Sequence, residues 1–143
     1  MPILRATPVP GSLLLRSITS LALLALCSAY LVGGITKLLD FSAAVAEMAH
    51  FGLAPAAPLA AATIALELGA SVLILIGKQR WLGAVALALF TLAASLLANR
   101  FWLLAGADRF MAKNAFFEHL GLAGAFLLIA LYDRASRRRK HES

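Results

Sequence analysis

The sequence predicts an all-α membrane protein, a four-transmembrane-helix up-down bundle with a short interfacial helix after the first span. Hydrophobic residues make up 62% of the 143 residues and charged residues only 14%, whereas soluble domains are nearer half apolar and a quarter charged. The apolar residues are also pooled into blocks long enough to cross the roughly 30 Å hydrocarbon core of a bilayer. The composition therefore excludes a cytosolic enzyme, a nucleic-acid binder and a secreted disulfide scaffold.

We interpret the whole chain, 1–143, as a single membrane domain. Its first span is free of charge from Ile18 to Ile35, too long for the apolar core of a signal peptide, although small residues around Cys27 offer that alternative. The segment 41–51 mixes apolar and polar residues, which suits a helix lying at the outer interface. Trp81 begins the third span as an interfacial aromatic anchor. The predicted spans cover about 14–38, 56–76, 81–98 and 114–131.

Basic residues are distributed unequally between the two sides of this bundle. The side with the termini and the 77–80 turn carries nine Lys and Arg, including those of the tail 133–143, and the other side carries four. By the positive-inside rule, the sequence predicts a multi-pass protein of the cell inner membrane with cytoplasmic N- and C-termini. The net charge of +6 is then a topology signal rather than a sign of nucleic-acid binding.

Glu67 is the residue whose position most needs an explanation. It lies near the middle of the second span, where an acidic group costs at least about 2.5 kcal/mol. Thr63 and Ser71 stand one helical turn to either side of it, so the three form one polar stripe that should face other helices. We predict a protonated Glu67 that lines the interior and is the candidate catalytic residue, as a proton carrier. A structural Glu67 bonded to a neighbouring helix is the alternative.

Further polar residues gather toward the outer ends of the spans and predict a pocket open to the outer face. Packing between helices is the simpler account of the Ser and Thr stripes, and the charged residues at span ends could merely reach for the interface. No metal site is predicted, because no second His or Cys accompanies His119 at ligand spacing. The candidate ligand-binding residues are Lys37, Asn99, Arg100, Asn114, Glu118 and His119.

Several short motifs, in order along nearly the whole chain, resemble the pattern of the DoxX family of small bacterial inner-membrane proteins. The resemblance implies a four-span bundle and places Lys37 and Glu67 at the family's characteristic Lys and Glu positions. Glu118 and His119 depart from the basic residue and amide expected at the start of span four. The motifs are Gly34-Ile35-Thr36-Lys37-Leu38, Phe51-Gly52-Leu53-Ala54-Pro55, Glu67-Leu68-Gly69, Leu75-Ile76-Gly77-Lys78-Gln79-Arg80 and the segment 114–130 with its Gly121-Leu122-Ala123-Gly124-Ala125 run.

The family takes its name from a small subunit associated with a thiosulfate-oxidising, quinone-reducing membrane complex, and other members resemble partners of thiol and oxidative-stress enzymes. The resemblance therefore favours a small subunit or accessory of a membrane redox process, quinone-linked or concerned with sulfur and thiol stress. Lys37, Asn114 and His119 would donate hydrogen bonds to a quinone head group and Glu67 would carry protons. We expect no intrinsic cofactor, with quinone as the candidate bound molecule, and whether the chain is itself an enzyme stays open.

Two alternatives from other functional classes remain. One is a small proton-coupled transporter that acts as an oligomer, with Glu67 as a protonatable gate. The other is a membrane anchor or assembly partner for a periplasmic enzyme. The expected partners are the lipid bilayer and another membrane or periplasmic protein, or a second copy in a homodimer, and no nucleic acid.

Overall fold

The computed structural model describes residues 10–141, and side chains within 12–139. Four of its helices, α1, α3, α4 and α5, are long and apolar enough to cross a membrane. The short α2 lies between the first two of them. The predicted all-α, four-span fold is thus confirmed. The elements are α1 Pro10–Leu39, α2 Phe41–His50, α3 Ala56–Ile76, α4 Arg80–Ala98, a 3₁₀ turn Phe101–Leu103 and α5 Gly106–His141.

The largest difference from the sequence prediction is the length of α5. This helix begins at Gly106, well before Asn114, and continues through the basic tail to His141. Asp108 lies in its first turn, where a negative charge interacts favourably with the helix dipole, and the Arg-rich tail is compatible with helix. Its 36 residues extend over about 54 Å at 1.5 Å per residue, so α5 is longer than the hydrocarbon core is thick.

Local side-chain chemistry sets the point at which α2 begins. The Asp40 carboxylate accepts hydrogen bonds from the Ala43 backbone N–H at 3.0 Å and from the Ser42 hydroxyl at 2.8 Å. This N-cap satisfies a donor of the first helical turn, and the two hydrogen bonds hold the pKa of Asp40 below its ordinary value. A new helix therefore begins at Phe41, directly after α1 ends at Leu39, and α2 packs against α1 and α3.

The spans pack in antiparallel sequence, α1 on α3, α3 on α4 and α4 on α5. We call the half with α2 the α2 half, and the half with the Gly77–Gln79 turn the turn half. The turn half is filled by small and aliphatic side chains around Phe126, which is fully buried. Gly83 allows α4 to approach α3 here, because a Cβ on it would lie 2.6 Å from the Ala70 carbonyl oxygen. This half is a closely packed core.

The end of α5 ties the turn between α3 and α4 in place. The Asp133 carboxylate accepts the backbone N–H of Trp81 at 3.2 Å and Nε–H of Arg137 at 2.8 Å. Arg137 also donates to the Gly77 carbonyl at 2.9 Å, and the Arg134 guanidinium stacks 4.7 Å from the centre of the Trp81 ring. We call this set the Asp133 clamp. It satisfies backbone groups at both facing helix ends, which lack partners within their own helices.

Candidate functional site

The site is built around an ion pair between α1 and α3. Lys37 Nζ lies 3.3 Å from Oε1 and 3.4 Å from Oε2 of Glu67, and Glu67 is only 5% exposed. Lys37 reaches inward rather than out to the interface because side chains on a helix tilt toward its N-terminus. Lys37 thus provides the buried acidic group with a cationic partner, a pairing that the sequence analysis did not assign.

Two glycines of α1 make room for this pair. A Cβ on Gly34 would lie 2.8 Å from the Leu68 side chain, closer than real Cβ atoms approach their neighbours, so the glycine permits the close crossing of α1 and α3. A Cβ on Gly33 would stand 3.5 Å from both Lys37 Nζ and a Glu67 carboxylate oxygen. At Gly33, which lines the cavity, the absence of a side chain leaves open space beside the charged atoms.

That space is a cavity of about 670 Å³ in the α2 half, within the size range of small-molecule sites. All four spans line it, and α2 with the following segment 51–53 borders it at the end of the bundle. Most of its wall is apolar, with alanines on α4 such as Ala94 and the aromatic rings of Phe51 and Phe90. Glu47, an exposed residue of α2, also borders it. The remaining polar side chains of the wall are Tyr30, Lys37, Thr63, Glu67, Thr91 and His119.

The hydrogen bonds around the cavity determine which groups can donate to a bound molecule. The Thr91 hydroxyl donates its proton to the Leu87 carbonyl at 2.6 Å. Tyr30 must therefore donate its own proton to the Thr91 oxygen, with which it is in contact. On α5, His119 Nδ1 lies 2.6 Å from the Ala115 carbonyl; since a carbonyl only accepts, Nδ1 carries the proton and Nε2 of the neutral ring is an acceptor.

The structure brings some of the predicted site residues together and separates others. Lys37, Glu67 and His119 line the cavity. Asn99 is half-buried and donates to Ser95 at 3.3 Å. The three other candidates, Arg100, Asn114 and Glu118, are exposed and lie outside the cavity wall.

Helix geometry explains this separation. Successive residues on a helix differ by about 100°, so the rotation of α5 that directs His119 inward turns Glu118 away. Tyr30 was missed by sequence reasoning. The feature that could have identified Tyr30 is its hydroxyl in the middle of a span, where it needs a hydrogen-bond partner. Among the described residues, no group of three or more His, Cys, Asp and Glu is arranged to hold a metal ion.

The comparisons with known proteins agree with this architecture. The sequence model of the DoxX family matches residues 13–100, a range that includes Lys37, Glu67 and Thr91. The chain belongs to the DoxX family. It is also similar to the inner membrane protein YphA of Escherichia coli (strain K12), with 31% identity over 113 residues, which cover 78% of this chain and 79% of that protein. No solved structure gives a significant match.

The similarity to an inner membrane protein and the four apolar helices together support a multi-pass inner-membrane protein. The family match ends at residue 100, before α5 begins. His119 is thus a cavity residue outside the matched segment. The ion pair, in contrast, lies wholly within it.

Proposed function

We propose that this DoxX family protein binds a small lipophilic molecule with a polar head group, of the quinone class, in the cavity of the α2 half, and so serves a membrane redox process. The observation that supports this most is the Lys37–Glu67 ion pair on the wall of an otherwise mostly apolar cavity. Apolar walls suit a lipid-soluble ring and tail, and the charged pair suits ring oxygens. Ligand sites of this kind combine an apolar lining with a few convergent polar groups.

The two charged residues of the ion pair each have a role in this proposal. Lys37 carries three donor hydrogens, so it can donate to a ring oxygen while it stays paired with Glu67. Glu67 accepts or delivers a proton at that oxygen, the role that defines it as the candidate catalytic residue. Reduction of a quinone to a quinol takes up two electrons and two protons, so Glu67 delivers one proton, is reprotonated from solvent and delivers the second; oxidation of the quinol runs the same steps in reverse. In this proposal the electrons come from, or go to, a partner membrane or periplasmic protein.

The proposed orientation puts both termini in the cytoplasm and the α2 half toward the periplasm. Four spans return the chain to its starting side, and the nine-to-four excess of basic residues favours the cytoplasm for the side with the termini. Fusion of a reporter that works only in the cytoplasm after Ser143, and of another at Ala105, tests the orientation. Activity of the Ser143 fusion and inactivity of the Ala105 fusion are expected, and the reverse pattern would overturn the orientation.

Binding in a cavity fits the described residues better than passage through the bundle. Below the cavity, the turn half is filled by the core that includes Leu87 and Phe126, both fully buried. A proton-coupled transporter would need that core to open. A pure anchor would need no cavity. These alternatives are separated by what binds: oxyanions alone would favour transport or capture of a sulfur compound, and no ligand would favour anchoring.

The test is a thermal-shift series in mild detergent with short-chain ubiquinone and menaquinone analogues and small sulfur oxyanions. Ala94→Leu fills the cavity from α4, and Ala61→Leu adds the same volume on an exposed position of α3 as the matched control. A quinone analogue should raise the unfolding temperature of wild type and Ala61→Leu, but not of Ala94→Leu or Lys37→Ala. Equal shifts in all four proteins, or none in wild type, would contradict the proposal.

A further inference from the structure

We infer that the cavity prefers the reduced, hydroxyl-bearing form of its ligand, a quinol, over the quinone. This inference rests on the proposed function and specifies it further. It follows from the directions of the hydrogen bonds around the cavity, because a quinone offers only acceptor oxygens and a quinol offers two O–H donors.

The polar groups of the wall are predominantly acceptors. Tyr30 uses its proton on Thr91, and Thr91 uses its own on Leu87, so neither hydroxyl has a hydrogen left for the cavity. The Tyr30 oxygen keeps lone pairs that can accept a hydrogen bond, and Tyr30 lines the cavity.

Two of the remaining groups, His119 and Glu67, also present acceptors. His119 in its neutral form presents Nε2 as an acceptor, since Nδ1–H is held by the Ala115 carbonyl. The Glu67 carboxylate accepts only the long bonds from Lys37, at 3.3 and 3.4 Å, and retains accepting capacity. The donors are Lys37 and Thr63, whose hydroxyl has no partner within residues 12–139.

A ligand without donors leaves these acceptors unmatched in a largely apolar space. Sites built to bond a hydroxyl discriminate strongly against analogues that lack it. A quinol can donate one hydroxyl to Glu67 and the other toward Tyr30 or His119, and it can accept from Lys37 with either oxygen. A quinone satisfies Lys37 alone among the charged groups. We expect the quinol to bind at least about tenfold more tightly.

The experiment measures the dissociation constants of three ligands of one skeleton for the purified protein. They are a ubiquinone with a single isoprene unit, its quinol kept reduced, and the dimethyl ether of that quinol, which has the same ring without donors. The expected order is quinol at least tenfold tighter than both others. Quinone binding equal to or tighter than quinol binding overturns the inference and leaves the proposed function standing, whereas no binding by quinone or quinol overturns both.

Two variants test the hydrogen-bond directions themselves. Thr91→Val removes the acceptor of the Tyr30 proton, which is then free to point into the cavity and donate, so the preference for quinol should fall severalfold. Ser95→Ala deletes a buried hydroxyl of α4 that lies outside the cavity wall and should leave the ratio unchanged. Both variants should retain the four-helix fold by circular dichroism. An unchanged ratio in folded Thr91→Val would contradict the inference.

Discussion

The turn half and the α2 half are built from the same four spans but use them differently. In the turn half the spans meet through Cys27, Leu87 and Phe126, all fully buried, and the Asp133 clamp closes the end. In the α2 half they stand around a cavity, with an ion pair on its wall. Buried hydroxyls such as Ser71 bond the helix backbone, whereas the buried carboxylate of Glu67 is paired with Lys37 beside open space. The turn half therefore stabilises the fold, whereas the α2 half has the space for a binding site.

The largest expected effect comes from disturbing the packed half. Gly83→Leu would force a side chain against the Ala70 carbonyl, where even a Cβ would stand at 2.6 Å. Overpacking costs about 1 to 3 kcal/mol when neighbouring side chains can move aside. The Ala70 carbonyl belongs to the backbone of a helix and cannot move in this way, so we expect the free energy of unfolding to fall by at least about 3 kcal/mol. Gly69→Ala is the control, because a Cβ there meets nothing within 4 Å. Reversible unfolding in detergent measures both, and equal stability of the two variants would contradict the packing account.

Breaking the ion pair should have the next largest effect. Lys37→Met leaves Glu67 buried without its cation. Loss of one partner of a fully buried pair costs about 3 to 5 kcal/mol. We expect about 2 kcal/mol here because the pair borders a cavity. The double variant Lys37→Met/Glu67→Gln should recover most of that loss. A single variant as stable as wild type would show that the pair does not stabilise the fold.

Releasing the Asp133 clamp should have a smaller effect, confined to stability. Asp133→Ala removes the acceptor of Trp81 N–H and of Arg137, and we expect a loss of about 1 kcal/mol, as for a lost helix cap and an exposed ion pair. Asp133→Asn should lose less stability than Asp133→Ala, because its side-chain oxygen can still accept a hydrogen bond. Arg138→Ala, an exposed neighbour, is the control. Ligand affinity should not change in any of these variants; a weaker quinone affinity in Asp133→Ala would contradict the separation of the two halves.

The smallest expected effect concerns the start of α2 and depends on pH. The pKa of Asp40 is lowered from its ordinary value of 3.8 by the Ala43 N–H and the Ser42 hydroxyl. The stability that the ionised Asp40 adds to the start of α2 is therefore fully present above the ordinary pKa of 3.8 and is lost as the pH falls through the lowered pKa. Hydrogen exchange in α2 should accelerate at that low pH in wild type and much less in Asp40→Asn, which keeps an N-cap without titrating. If hydrogen exchange in α2 depends on pH identically in the two proteins, titration of Asp40 is not the cause of the acceleration.

Sequence reasoning predicted the four spans because each apolar block matches the bilayer, and it identified Glu67 because a mid-span carboxylate is costly. It also named Lys37, but not as the partner of Glu67. That contact depends on the α1–α3 crossing at Gly34, which involves residues far apart in the chain. The cavity depends on how four helices are rotated about their axes, and this rotation is set by packing rather than by any local motif.

The face that α5 turns toward the cavity likewise depends on packing. Sequence reasoning paired Asn114 and Glu118 by their i, i+4 spacing and added His119 beside them, but the 100° helical step separates Glu118 from His119, and only His119 lines the cavity. The start of α5 at Gly106 was not predicted, because the polar residues before Asn114 look like a loop although an exposed helix also tolerates them. The Asp133 clamp was missed because its partners, Gly77 and Trp81, are more than fifty positions away along the chain.

The central claim, a ligand held in the α2 half beside the ion pair, is tested most directly by photolabelling. Purified protein in lipid nanodiscs is illuminated with a photoreactive quinone analogue, and the modified residues are mapped by mass spectrometry. The account predicts adducts on the cavity wall, within 29–37, 47–53 and 90–98, which an excess of unreactive quinol suppresses and which Ala94→Leu abolishes. Adducts confined to the exposed face of α1 around Leu21, unaffected by quinol or by Ala94→Leu, would contradict it.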